Sequence, residues 1–320
     1  MHTHINVHTP RTLGKWMIEN FWEALDEPNE WFYDEEKETL YLIPNATDPG
    51  VHPDPVATVG SGSEHAPNQT YVAVLLDTLI SINSTASSPV RDILVQGILF
   101  RDAADITMQP WGVPSGGDWG LYRGGAIFVE GAENITIKHN IFTRLDGNGV
   151  FVSGYSRHVT ISDNEFSWIG CSPMASWGYT NETDGMDGLQ PRYTNVLRNY
   201  VHEFGHKQKQ SSMWSNNKVL RCCPVHLPDD PLSDPQPQAC LTKIERNVVF
   251  NGPRAGINLN DGFGGGTNIS NNLIFNQCRE SGDHGAMNSW DRTAYISDVK
   301  YGRPSYEALM NQVDMYVDHF

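Results

Sequence analysis

One asparagine recurs along this chain in the same local frame. Five segments read apolar-x-x-Asn-x-apolar: TIKHNIF with Asn140, TISDNEF with Asn164, NVLRNYV with Asn199, KIERNVVF with Asn247 and ISNNLIF with Asn272. An earlier cousin, ILVQGILF, carries Gly97 at the Asn position, and successive marks are 43, 24, 35, 48 and 25 residues apart. The short intervals define a unit of about 24 residues, and the long ones are one unit plus an insertion or two units. Short β-rich runs with polar turns at this period suit one coil of a right-handed parallel β-helix, each coil stacked on the last at the strand spacing of about 4.8 Å. An Asn at a fixed place in each coil tolerates a left-handed bend between strands and can hydrogen-bond its amide to the next Asn in a ladder. The pairs Ile137/Ile141, Ile161/Phe166, Val196/Val201, Ile244/Val249 and Ile269/Ile274 are then expected to point inwards as core. Leucine-rich repeats share the period, but their Leu-x-Leu frame is absent. Propeller blades need longer, antiparallel units.

Composition removes other classes. The 320 residues are 39% hydrophobic and 10% aromatic, too apolar for a disordered chain, and no apolar run approaches the length of a membrane span. With 22 Lys and Arg against 38 Asp and Glu, the net charge of −16 would repel a phosphate backbone, so nucleic acid is not an expected partner. The repeat does not begin at once. Residues 1–70 read as an N-terminal hairpin and loop region, with strands at Trp31–Asp34 and Leu40–Ile43 around a charged turn. Residues 71–303 carry the β-helix, with insertions at 104–123, 171–188 and 222–240, and residues 304–320 read as a short helix capped by Ser305.

Five cysteines occur, Cys171, Cys222, Cys223, Cys240 and Cys278, without metal-ligand spacing. A bridge from Cys222 or Cys223 to Cys240 would staple the Pro/Asp-rich insertion. Asn-x-Ser/Thr sequons stand at Asn45, Asn68, Asn83, Asn134, Asn181 and Asn268. Together these favour an extracellular protein, although MHTHINVHTPRTLGKW lacks the apolar core of a signal peptide. The chain is therefore expected to be a fragment of a longer one.

The segment KWMIENFWEALDEPNEWFYDEEKETLYLIP resembles a Trp-x-x-Glu-Asn…Leu-Asp-Glu-Pro-Gly-Glu-Trp-x-x-Asp…Leu-Tyr-x-x-Pro pattern of large secreted right-handed β-helix proteins related to glycoside hydrolase family 141. The coils around GGAIFVEGAENITIKHNIF and the stretches NGPRAGINLNDGFGGG and CRESGDHGAMNSWDR are similar to a eukaryotic branch of such proteins. The resemblance spans residues 13–293. It implies the β-helix fold and a carbohydrate-directed activity. It also implies coils beyond SWDR and chain before Trp16, in keeping with a fragment.

Stacking the coils on their Asn marks gives a register for the site. Eleven residues after a mark come Phe151, Gln210, Asn258 and Asp283; thirteen after come Ser153, Ser212 and Asn260. The later coils thus turn polar where earlier ones are apolar. Amides and carboxylates bind vicinal sugar hydroxyls, and Trp214 and Trp290 could stack on a ring. Hydrolysis of a glycoside needs two carboxylates, about 5 Å apart on neighbouring coils for a retaining enzyme or nearly 10 Å two coils apart for an inverting one. Asp261 and Asp283 are the favoured acid pair, with Asp291 third. Gln210, Trp214, Arg254, Asn258, Asn260, His284 and Trp290 would line the groove. The expected partner is a polysaccharide or oligosaccharide bound by a monomer, with no cofactor and no metal. A polysaccharide lyase is the alternative enzyme, with Lys207, Lys209, Arg254 or Arg279 as base and Ca2+ against a uronate. A non-catalytic glycan-binding or structural β-helix is the third reading.

Overall fold

The computed structural model describes residues 20–43, 74–107, 121–179, 189–217, 241–260, 267–282 and 284–290. The chain divides into two compact units, Met1–Ala73 and Val74–Phe320. In the first, strands Trp31–Asp34 and Thr39–Leu42 pair antiparallel, as the alternating apolar residues around a charged turn require. Trp22, on a short 3-10 turn, sets its ring edge-on to Phe32 and Tyr41, at 5.3 and 4.9 Å between centroids.

The second unit is built from three parallel sheets visited in rotation. One coil runs through Val150–Ser153 in what we call the third sheet, Ser156–Ser162 in the first and Glu165–Ile169 in the second. The next coil repeats the path with Met174–Trp177, Asn195–Leu197 and Tyr200–Phe204. Each described strand of this unit pairs in parallel with its counterpart on the neighbouring coil, so the unit is a parallel β-helix. Each interval between Asn marks is a single coil, the long ones carrying insertions. The strand Met174–Trp177 belongs to a coil, so the insertion expected at 171–188 begins only after it. The proposed staple among Cys222, Cys223 and Cys240 and the helix at 304–320 lie outside the described residues. Cys171 is a buried free thiol.

Alternate residues of each strand face the interior, where like stacks on like. Val95, Ile137, Ile161, Val196, Ile244 and Ile269 form the inner column of the first sheet, all buried. In the second sheet Phe100, Phe142 and Phe166 stack face to face at 4.8 and 4.5 Å. Phe142, not Ile141, is therefore the inward residue of its coil, and Ile141 is 45% exposed. Strand alternation makes a slip of one residue move a side chain to the opposite face.

The asparagine ladder forms between the first and second sheets. Asn140 donates its side-chain amide to Asn164 Oδ1 at 3.0 Å, Asn164 to Asn199 at 3.1 Å, Asn199 to Asn247 at 3.1 Å and Asn247 to Asn272 at 2.8 Å. The same Oδ1 atoms accept the backbone N–H of the preceding Asn, and each Nδ2 also reaches a strand carbonyl, as Asn199 does to Ile161 at 3.0 Å. The left-handed residue at this corner is not the Asn but its predecessor: His139, Asp163, Arg198, Arg246 and Asn271, with φ between 53° and 58°. Gly97, at φ 74°, aligns with that corner residue, since its N–H bonds His139 O. Ile98 thus occupies the Asn position, and its N–H caps the ladder on Asn140 Oδ1. Only the residue before the Asn needs the backbone freedom that glycine supplies.

Outside this corner Arg198 grips Asp163 with two 2.7 Å hydrogen bonds. The guanidinium lowers the Asp163 pKa, so the pair stabilises the fold above the ordinary aspartate pKa and loses that contribution as pH falls through the depressed one. Solvent screening keeps it small: Asp163→Asn is expected to cost under about 1 kcal/mol in urea unfolding at neutral pH, and less in high salt.

Candidate functional site

Chain length varies most where the third sheet hands over to the first, because residues 178–194 and 218–242 separate strands that other coils join directly. The outer face of the third sheet is not an ordinary wet surface. Its first outward column runs Ser81, Phe128, Phe151, Ala175, Ser215, Asn258 and Asn288. Phe151 and Ala175 are buried with Leu121 beside Phe128 and Trp177, forming a small apolar cluster outside the main core. Farther along, Ser215 and Asn258 are 1% and 0% exposed though they face away from the interior. Asn288 donates to Asn258 Oδ1 at 2.8 Å, and Asn258 Nδ2 has no partner among the described residues.

The second outward column holds Glu130, Ser153 and Trp177 and is crossed by Arg123, which follows Leu121 in the chain. Arg123 donates to Ser153 Oγ at 2.6 Å, to Trp177 O at 2.8 Å and to Gly178 O at 2.9 Å. Its guanidinium lies between the rings of Trp177 and Tyr179, 4.3 and 4.1 Å from their centroids. Burial pushes its pKa down, while Tyr179 and Glu130 push it back up. Tyr179 OH donates to Glu130 at 3.0 Å, and Ser153 Oγ donates to the same carboxylate oxygen. At the neighbouring corner Arg157 donates to Gln190 O at 2.5 Å, and the Gln190 amide reaches Tyr179 O. Burial and the stacked Arg192 bring the Arg157 pKa down to about 10.

Stacked parallel coils with a fixed inward pattern and an Asn corner define an architecture, and residues 125–298, more than half of the chain, match the family model for the right handed beta helix region. The chain belongs to the right-handed β-helix family. No curated protein matches it. A solved structure named glycoside hydrolase is similar, with a TM-score of 0.60 and 16% identity over 86% of this chain and 47% of that one. At that identity the likeness is one of fold, and this chain spans about half the length of that structure.

On this right-handed β-helix the sequence-predicted residues fall into four groups. Gln210, Arg254 and His284 stand at the turn that enters the third sheet on successive coils, each a few residues before a strand. Asn258 lies on the outward column, and Asn260 pairs in register with Trp290 one coil on. Trp214 does not belong with them. It is fully buried in the main core, on the inward column with Met174 and Ile257, because its strand enters five residues later than a constant spacing implies, an odd shift that turns Trp214 inward. Asp261, Asp283 and Asp291 lie outside the described residues, so the expected acid pair has no geometry here. Sequence reasoning passed over Arg123, Glu130, Trp177 and Tyr179. One signal was available: the outward partners Phe128 and Phe151 in IFVE and VFVS mark strands covered on both faces.

Among the described residues no group of three or more His, Cys, Asp or Glu could hold a metal ion, and no helix is long and apolar enough to cross a membrane.

Proposed function

We propose that this β-helix is a carbohydrate-active protein of glycoside hydrolase type that binds a polysaccharide along the outer face of its third sheet. One observation carries the reading: polar side chains, Ser153, Ser215 and Asn258, are buried on the outside of the sheet. A solvent-facing sheet leaves such groups wet, and a second apolar core would not use an amide, since an unpaired buried donor costs about 1–3 kcal/mol. A polar floor is what a groove for a hydroxyl-rich chain requires. The glycoside hydrolase of similar fold supports the same class.

The acids proposed to act are Asp261 and Asp283, with Asp291 third. Asp261 directly follows Asn260 and Asp291 directly follows Trp290, and those two residues are register partners on adjacent strands. Extracellular residence is part of the proposal. The sequon residues Asn83, Asn134 and Asn268 are exposed, whereas the ladder asparagines Asn140, Asn164, Asn199 and Asn247 are buried and none starts a sequon.

The test is a panel of neutral and uronate polysaccharides assayed for new reducing ends and for unsaturated, ultraviolet-absorbing product. Release of reducing ends without unsaturation, lost in Asp261→Asn or Asp283→Asn, is the expected result. Unsaturated product makes the protein a lyase. Binding without cleavage makes it a glycan-binding module.

A further inference from the structure

One carboxylate oxygen of Glu130 is held by two hydroxyl donors. Ser153 Oγ and Tyr179 OH both donate to Oε2, while Oε1 accepts no hydrogen bond among the described residues. The two donors are themselves held in place. Arg123 gives a proton to Ser153 Oγ, which commits the serine's own proton to Glu130, and the Tyr179 ring rests on the Arg123 guanidinium. Arg123 directs its hydrogen bonds to Ser153 and two carbonyls rather than to Glu130. The carboxylate is therefore oriented by neutral hydroxyls and keeps its acceptor capacity. Gly154, at φ 46°, permits the arrangement, because a Cβ there would sit 2.9 Å from the Tyr179 ring and 3.2 Å from the Glu130 carboxyl carbon. Tyr179 is 40% exposed with one face on the guanidinium, which leaves its remaining surface for a ligand.

We propose that Glu130 and Tyr179 form a subsite for one uncharged pyranose ring, with Glu130 Oε1 accepting from ring hydroxyls and the free side of Tyr179 packing on the ring's C–H face. The assignment rests on the polysaccharide reading and narrows it. A sugar carboxylate or sulfate here would meet the Glu130 charge, and the nearby cation, Arg123, is already committed to protein partners. Ring hydroxyls meet an acceptor that no donor among the described residues fills.

Isothermal titration with hexasaccharides of glucose, xylose, mannose and galacturonate tests it. A neutral chain should bind, with galacturonate weaker by about tenfold or more. Glu130→Gln, which turns Oε1 into a donor, should weaken the neutral ligand by about tenfold, and Tyr179→Ala by at least as much. Tyr179→Phe keeps the ring and loses only the hydroxyl that pins Glu130, so it should lose a few-fold at most. Thermal midpoints of each variant separate lost binding from lost folding. If neutral chains bind and the folded Glu130→Gln and Tyr179→Ala proteins bind them as tightly as the parent, the subsite is wrong and the polysaccharide reading stands. If galacturonate binds as well as the neutral chains, the uncharged assignment is wrong. If the parent binds none of the panel, both readings fall together.

Discussion

Asn199→Ala should destabilise the β-helix by about 3–5 kcal/mol, because the change strands several buried groups at once. Asn199 Oδ1 accepts from both the backbone N–H and the side chain of Asn164, and Asn199 Nδ2 donates to Ile161 O and to Asn247 Oδ1. Alanine leaves the Asn164 N–H and the Ile161 carbonyl unpaired at a site that is 1% exposed. Buried groups lose their full hydration when left unpaired, so the cost exceeds that of one ordinary hydrogen bond. Position in the ladder then grades the effect. Asn272, at the far end and only partly buried, donates to Ile244 O and accepts from Asn247, and water can replace part of what it loses. Asn272→Ala should cost about half as much as Asn199→Ala in the same urea unfolding series. Equal losses at the two positions would mean that the ladder is not a cooperative, buried network.

The ladder also marks how far sequence alone reaches. The recurring Asn and its apolar flanks are local features that repeat because every coil solves the same packing problem, so the fold is readable from them, whereas the long intervals admitted one coil or two until the strand pairing showed one. Register is less so. Gly97 belongs one place earlier than the motif implies, since glycine satisfies the left-handed corner while Ile98 stands where the Asn would. The floor of the third sheet is harder still. Its outward position falls eleven residues after Asn140, Asn164 and Asn247, at Phe151, Ala175 and Asn258, but sixteen after Asn199 and Asn272, at Ser215 and Asn288. The turn between the second and third sheets changes length freely, because nothing like the Asn ladder regulates it. A constant offset therefore finds Phe151 and Asn258 and picks Gln210 where Ser215 stands. Glu130, Ser153, Tyr179 and Arg123 come from three coils and a covering segment, and no spacing rule joins them.

Trp214 offers the sharpest check on that corrected register. As a sugar-stacking residue it would tolerate removal with little loss of stability and a large loss of affinity. In the core it should behave in the opposite way. Its side chain fills the inward column between Met174 and Ile257 and is 0% exposed, so Trp214→Ala opens a large cavity in a close-packed interior. The expected cost is about 3–5 kcal/mol in urea unfolding. Trp214→Phe should cost much less, under about 1.5 kcal/mol, for two reasons. Phenylalanine restores most of the buried apolar volume, and it removes an indole N–H that has no hydrogen-bond partner among the described residues. Neither variant should change glycan affinity in the fraction that remains folded, since a side chain inside the coil does not reach a ligand outside it. A Trp214→Phe protein of parental stability that no longer binds its glycan would return this residue to the groove. It would also mean that the strand Trp214–Asn217 turns its other face inward.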